Sequence, residues 1–190
     1  MDWNFGVWGW KGFLAMHGQV SENTKPDPLL STSLSEAEKR AIEEFSRERA
    51  KVLGGARFAD TSAPWKALLT RISAWVNADV AALKAVQVPA ENVREAAFTD
   101  PKNKRWIEYL RGLSLWCVPV AGQPPKDADV APVFTVDEEG SKEAHVFLYY
   151  QGSWRFLFNT GNYGIWQTEG RDTVKNKLEY LRGKPAMPGN

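Results

Sequence analysis

Residues 143–159 read EAHVFLYYQGSWRFLFN and decide the fold that we predict for this chain of 190 residues. Two runs of alternating apolar residues flank Gln151 and Gly152, where the glycine can supply a positive φ angle that a tight hairpin turn needs. With this two-residue loop, three aromatic pairs face each other on one side of the sheet: Tyr149 with Trp154, Phe147 with Phe156, and His145 with Phe158. We call this side the ring face.

The ring face carries too much aromatic surface to be left in water, so it must be buried against a core, a ligand or a partner. Helices that contain tryptophan precede the hairpin and are available to cover it. We therefore interpret the ring face as one wall of the interior or of a pocket within it. The predicted pocket-lining residues are Phe147, Tyr149, Trp154, Phe156 and Trp75. The opposite side of the hairpin is formed by Val146, Leu148, Tyr150, Arg155 and Leu157.

The composition excludes several classes of protein. With 24 basic and 23 acidic residues, the net charge of +1 gives no electrostatic reason to expect a nucleic-acid partner. The single cysteine excludes an intrachain disulfide and suits a reducing compartment. No apolar run approaches the length of a membrane-spanning helix. We predict a soluble intracellular protein of the cytoplasm or an organelle matrix, and peripheral contact with a membrane complex stays open.

Residues 1–33 are predicted to form a Trp/Gly-rich arm and linker rather than a regular element. Its aromatic residues lie among glycines and follow neither the period of a helix nor that of a strand. The arm could fold back onto its own domain, bind another protein or lie at a membrane surface. Because tryptophan is a common anchor of protein interfaces, we name five candidate partner-binding residues: Trp3, Phe5, Trp8, Trp10 and Phe13.

The sequence from residue 34 onward predicts helices first and strands later. A first helix covers 34–53, because Ser35 and Glu38 have the spacing of a capping box and glycines follow at 54 and 55. A second begins at Pro64, with a bend or break near residue 77. A weakly helical segment covers 91–98, and another helix follows Asp100 and ends near Gly112.

Strand signals follow at 113–120, at 132–136 and in the hairpin, and they predict an antiparallel meander. A short last strand is predicted at 163–167, and a short closing helix is predicted to begin at Thr173. The predicted fold class is therefore α+β, with N-terminal helices packed on a curved antiparallel sheet, an irregular aromatic arm and a C-terminal helix. We expect one domain at 34–183 with its core at about 62–167, followed by a loose tail at 184–190.

The order of these elements resembles the nuclear transport factor 2-like superfamily, the cystatin-like α+β cone that includes ketosteroid isomerases and many accessory domains. The likeness covers about residues 62–160. Ala78, Asp79 and Leu83 match a step common in its helices, and residues 151–156, QGSWRF, match a pattern of its last strands. The resemblance implies a curved sheet wrapped over helices, with a pocket that the ring face lines or fills. No catalytic position of the superfamily is carried over to this chain.

Catalytic and metal-binding motifs are mostly absent from the sequence. Two histidines and one cysteine are too few for a Cys/His zinc site, and we predict no metal and no cofactor. His145 is the one candidate for proton transfer, with Asp79 or Asp100 as its partner. A Cys117–His145 nucleophile pair and an aromatic stacking platform of Tyr149, Tyr150, Trp154 and Tyr163 are weaker alternatives.

The sequence thus favours a non-catalytic accessory or assembly protein that binds another protein as a subunit of a larger complex. This prediction rests on the tryptophan-rich arm, the near-neutral charge and the missing catalytic motifs. The alternative is a small-molecule-binding pocket protein, or an isomerase or lyase that uses His145 and Asp79. Association into homo-oligomers is left open.

Overall fold

The structure, a computed structural model, describes residues 34–90, 93–98, 100, 102–117, 124–161 and 163–182. It confirms the α+β class, with helices packed on a four-stranded antiparallel sheet. The aromatic arm and its five candidate partner-binding residues lie outside the described residues.

The sheet is a meander in which each strand pairs with the next along the chain, in the order β1-β2-β3-β4. β1 is Ser114–Cys117, β2 is Val130–Val136, β3 is Lys142–Tyr150 and β4 is Ser153–Asn159. All three pairings are antiparallel. The meander predicted from the alternating runs is therefore confirmed.

The turn between β3 and β4 is the predicted two-residue loop. Gln151 and Gly152 both have positive φ, 51° and 78°, as a primed hairpin turn requires. Tyr149 faces Trp154 and Phe147 faces Phe156, as predicted.

The third predicted pair of the hairpin is wrong. The register shifts between Val146 and Phe147, so that Val146 faces Phe158 and His145 faces Asn159. Leu157 is the extra residue of this β-bulge, and both Leu157 and Phe158 pack on the side opposite the ring face. A bulge of this kind leaves no mark in a pattern of alternating residues.

The N-terminal helices begin and end close to the predicted positions. α1 is Glu36–Leu53, and its first turn holds the complete Ser35–Glu38 capping box. α2 is Pro64–Val76 and α3 is Val80–Ala85. The predicted break between them is real: Ala78 has a φ of 51°, and the side chain of Asp79 accepts a hydrogen bond from the Ala82 amide at 3.0 Å.

The segment after α3 runs along the outer edge of β4. The Val88 amide donates to the Phe156 carbonyl at 2.9 Å, and the Phe156 amide donates to the Val86 carbonyl at 2.7 Å. The Trp154 amide donates to the Thr61 carbonyl at 3.1 Å. These bonds occupy backbone groups that an edge strand would otherwise offer to another chain.

Two shorter helical segments lead into β1. A 3₁₀ helix covers Glu95–Phe98, and α4 covers Lys102–Gly112, which ends where the glycine predicts. Arg49 of α1 donates a hydrogen bond from Nη1 to the carbonyl of Leu113, just before β1. This bond ties the first helix to the first strand of the sheet.

The C-terminal prediction is wrong in both its parts. Residues 163–167 are not a strand, and the closing helix does not begin at Thr173, because α5 runs over 20 residues, Tyr163–Arg182. Trp166, Val174 and Leu178 are buried along one side of this helix. Gly164 and Gly170 hid the pattern, since glycine is a poor helix former. The packing of α5 requires a glycine at position 170, because the ring of Trp166 leaves no room for a Cβ there.

Helices cover both sides of the sheet. The ring face packs against α1, α2 and α4 and forms the larger core, in which Phe45, Leu68, Leu69 and Ile72 are fully buried. The opposite face packs against α5 and includes Phe134, which is 1 % exposed. The interpretation of the ring face as a wall of the interior is therefore correct.

Candidate functional site: a buried polar cluster on the ring face

The residues predicted to line a pocket are packed in the larger core. Phe147 and Trp154 are 0 % and 1 % exposed, while Phe156 and Trp75 are nearly as buried. Tyr149 is partly buried at the margin of the same core. The structure thus brings these five residues together, and the rings of Phe147 and Phe156 meet edge to face with centroids 5.8 Å apart.

Tyr149 and Trp154 are not part of an exposed stacking platform with Tyr150 and Tyr163. Tyr150 is on β3 next to Tyr149 and packs with the opposite core. Tyr163 begins α5 and contacts the rings of that same core. The four aromatic residues therefore belong to two sides of the sheet.

His145 is completely buried in the middle of β3. Its Nε2 and Thr135 Oγ1 of β2 share a hydrogen bond of 3.1 Å. Burial, and to a lesser extent the charge of Arg71, lowers the pKa of His145 to about 3. The imidazole is therefore neutral at physiological pH and is ill-suited to exchange protons with a substrate.

The predicted pairing of His145 with Asp79 is wrong. Asp79 caps α3 and accepts a hydrogen bond from Arg57 Nη1 at 2.7 Å. The carboxylate beside His145 is instead Glu143, two residues away on the same strand, with 3.7 Å between Oε2 and Nε2. The spacing of two along a strand was visible in the sequence, but the burial of Glu143 was not. Cys117 lies on β1, and β2 lies between that strand and β3.

Glu143 is buried and has a half-buried hydrogen-bond partner. Its Oε2 accepts a hydrogen bond of 2.8 Å from Asn159 Nδ2, across from β4. Burial raises the pKa of Glu143, and the bond from Asn159 and the charge of Arg71 offset part of this rise. The β-bulge makes this contact available, because it places Asn159 opposite His145.

Arg71 is the residue of this cluster that the sequence analysis missed. It lies in the middle of α2 and is only 7 % exposed. The guanidinium carbon is 3.9 Å from the ring centroid of Phe156 and 5.3 Å from that of Trp106 of α4. Burial lowers the pKa of Arg71 to about 10, against the opposing effect of Glu143, so the side chain keeps its charge at neutral pH.

A signal for this burial existed in the sequence. The segment PWKALLTRISAWV is apolar on nearly all sides, and 11 of the 13 residues of α2 are buried. A helix that is apolar all round lies inside the protein, and an arginine in its middle is then buried too. The predicted helix was defined by its apolar stripe alone, which does not include Arg71 between Leu69 and Trp75.

Arg71 lacks the hydrogen bonds that usually accompany a buried charge. Within the described residues, its Nε and Nη1 atoms have no hydrogen-bond partner. Of the ion pairs among those residues, none joins Arg71 to Glu143. A buried donor that stays unbonded costs about 1–3 kcal/mol, and more for a charged group. This cluster therefore lowers the stability of the fold unless another group completes it.

Tyr109 of α4 is a second group without its hydrogen bond in the described residues, and it is linked to Arg71 through the ring of Trp106. Its ring stacks on that of Trp106 with centroids 5.1 Å apart, and Trp106 in turn covers the guanidinium. The hydroxyl of Tyr109 is buried and has no hydrogen-bond partner in the described parts of the chain. The indole Nε1 of Trp75 is also buried without a hydrogen-bond partner in these parts of the chain.

The cluster combines charged, acceptor and donor groups on one buried face. Its groups are one buried cation, one carboxylate, a neutral imidazole and several hydrogen-bond donors. Within the residues that the structure describes, no group of three His, Cys, Asp or Glu side chains is arranged to hold a metal ion. Nor does any helix of the described ranges combine the length and apolar character needed to cross a membrane.

Comparison with known protein families, with curated proteins and with solved structures found no match. The likeness to the nuclear transport factor 2-like superfamily therefore stays a prediction. The residues that carry it have clear local roles in this fold. Ala78 and Asp79 form the break between α2 and α3, and Gln151 and Gly152 form the hairpin turn.

Proposed function

We propose that this protein is a non-catalytic accessory or assembly module that binds another protein as a subunit of a larger complex. The observation that carries the proposal is the burial of His145, the one proton-transfer candidate in the sequence, which is 0 % exposed. A general acid or base must reach the proton that it moves, and a neutral histidine with no exposed surface does not. We also propose an intracellular location, in keeping with the single cysteine.

The covering of the sheet gives the second line of support. Helices lie on both of its faces, and the segment around Val86 and Val88 occupies the β4 edge. A partner would therefore find little apolar surface on the sheet itself. The aromatic arm, with Trp3, Trp8 and Trp10, is the segment whose composition best suits an interface.

The proposal is tested by placing a photo-crosslinking amino acid at position 8 of the full chain in its native cell. We expect covalent capture of one partner in a fixed ratio, and loss of this complex when Trp3, Trp8 and Trp10 are all replaced by alanine. The matched control carries the crosslinker at position 165, where Ile165 is 43 % exposed on α5. Equal, unselective capture at both positions would count against an interface in the arm.

Whether the triple alanine variant folds determines how a loss of the complex is interpreted. If its thermal unfolding matches that of the parent chain, loss of the complex reflects a lost interface. If the variant unfolds or aggregates, the arm belongs to the core of the domain, and the proposal fails. The competing isomerase or lyase hypothesis predicts that His145→Gln abolishes turnover, whereas our proposal predicts no change in complex formation.

A further inference from the structure

Four hydrogen-bond donor atoms around α2 and α4 are buried without partners in the described parts of the chain. They are Arg71 Nε, Arg71 Nη1, Trp75 Nε1 and Tyr109 Oη. A tyrosine hydroxyl can also accept a hydrogen bond, but arginine and tryptophan nitrogens can only donate. The missing group must therefore be rich in acceptors, which excludes a cation or an apolar molecule as the natural complement.

The charge of Arg71 narrows the class of ligand further. Arg71 is buried and charged, and such a group is stable only when it is paired or well hydrogen-bonded. Glu143 does not supply this pairing, because its Oε2 accepts from Asn159 at 2.8 Å and lies 3.7 Å from His145 Nε2. Its charge acts on Arg71 only from a distance. A negatively charged acceptor is thus the partner that the guanidinium lacks.

The rings around Arg71 determine the environment of that partner. Phe156 and Trp106 lie at 3.9 Å and 5.3 Å from the guanidinium carbon, and they cover it with apolar surface. Electrostatic attraction is stronger in such surroundings than in water. Trp106 is half-buried, so the cluster lies beneath a ring that itself reaches the surface. The ligand must be small, because Arg71 is 93 % buried.

We propose that Arg71 and Tyr109 form a binding site beneath Trp106 for the oxyanion group of a small ligand, a carboxylate or a phosphate. Arg71 supplies the charge and charge-assisted hydrogen bonds, while Tyr109 supplies a neutral donor. Free phosphate and the carboxylate of a small organic acid share this chemistry. The site goes beyond the proposed protein-binding function, and its residues all lie outside the aromatic arm.

The test measures thermal unfolding of the full chain in sodium phosphate, sodium acetate or sodium benzoate against sodium chloride at constant ionic strength. We expect at least one of the three oxyanions to raise the melting temperature of the parent chain in a saturable way. Titration followed by NMR should shift the Nε–H signal of Arg71 at the same concentrations. A linear effect shared by all salts, with no movement of that signal, would overturn the proposal.

Variants separate this site from general salt effects. Arg71→Met should weaken binding by about tenfold or more, because a charged hydrogen-bond donor is lost. Tyr109→Phe keeps the ring and should weaken binding about threefold to tenfold. Arg49→Met is the matched control, since Arg49 is a half-buried arginine that donates to the Leu113 carbonyl, and the oxyanion should still bind.

Each outcome has a defined meaning. If Arg71→Met and Tyr109→Phe bind as well as the parent chain, the site lies elsewhere and the proposal is wrong. If Arg71→Met does not fold, Tyr109→Phe and the NMR titration of the parent chain decide the question by themselves. Alanine substitutions in the arm should leave oxyanion binding unchanged, so failure of the protein-binding proposal would not be mistaken for failure of this one.

Discussion

The two faces of the sheet are built from the same strands but bury different kinds of side chain. The face under α5 is closed by apolar and aromatic groups such as Val146, Leu148 and Trp166. The ring face, under α2, encloses Arg71, Glu143 and His145 within an otherwise apolar core. Neighbouring residues of β3 point to opposite faces, so the two environments lie one strand thickness apart.

The two faces differ in the free-energy cost of burying their side chains. Apolar burial stabilises a fold without needing partners of particular geometry, whereas buried charges cost free energy unless every donor and acceptor is satisfied. The face under α5 therefore has the composition of a structural layer. The ring face contains donors that the described chain does not satisfy, and it is the place of the oxyanion site that we propose.

The largest expected effect tests whether both faces are true core. Phe147→Ala, on the ring face, should lower the free energy of unfolding by about 3–5 kcal/mol, because it leaves a cavity among tightly packed rings. The adjacent Leu148→Ala, on the other face, should cost about 2–5 kcal/mol. Urea denaturation followed by tryptophan fluorescence measures both. A Leu148→Ala variant as stable as the parent would mean that α5 does not close its face.

The second prediction concerns the pH dependence that only the ring face should show. The pKa of His145 is about 3 in the folded chain and near 6.5 in the unfolded one, so the unfolded state binds a proton that the folded state does not. The free energy of unfolding should therefore rise with pH between about 3 and 6.5, by about 1.4 kcal/mol per pH unit from this group. Denaturation curves at several pH values measure the slope.

Two variants identify the source of that slope. His145→Gln should remove it, so the difference in unfolding free energy between variant and parent should change steadily between pH 3 and 6.5. Glu143 acts in the opposite direction, because its raised pKa means that the folded state keeps a proton above pH 4.5 that the unfolded state loses. Glu143→Gln should therefore steepen the rise with pH. An unchanged slope in His145→Gln would show that this histidine is accessible and titrates normally.

The smallest expected effect tests how tightly α5 is fitted to its face. A Cβ at position 170 would lie 2.6 Å from Trp166 Cε3, a buried ring with little freedom to move. Gly170→Ala should therefore destabilise the protein by about 1 kcal/mol, although alanine gains a similar amount in helix propensity. Gly112→Ala is the control, since its Cβ would meet only the flexible end of Glu138. Thermal unfolding of the two variants compares them.

Much of the fold could be predicted because local signals and tertiary packing agree. The Ser35–Glu38 capping box, the break near Asp79 and the Gln151-Gly152 turn each have a local physical cause, and each is present. The C-terminal helix was missed because Gly164 and Gly170 weaken its local signal. Packing against the sheet outweighs their low propensity, and a sequence pattern contains no direct record of that packing.

The candidate site was predictable only in part, for a reason that concerns distance along the chain. His145 and the aromatic residues of the hairpin were found because their partners lie a few positions away. Arg71 comes from a helix more than 70 residues earlier, and its contacts with Phe156 and Trp106 depend on how α2 and α4 cross the sheet. Asn159 reaches Glu143 only because of a bulge that alternation does not predict.

That bulge has a consequence for how relatives of this chain would be compared. A homologue with one residue fewer between Phe156 and Asn159 would align well, and a single gap at Leu157 would look harmless in a loop-poor strand. Because Leu157 is the extra residue of the bulge, the shorter strand would still pair its last phenylalanine with Val146 and its asparagine with His145, now in regular alternation. The residue opposite His145, more than the length of this strand, would then distinguish chains that keep the polar cluster from chains that have lost it.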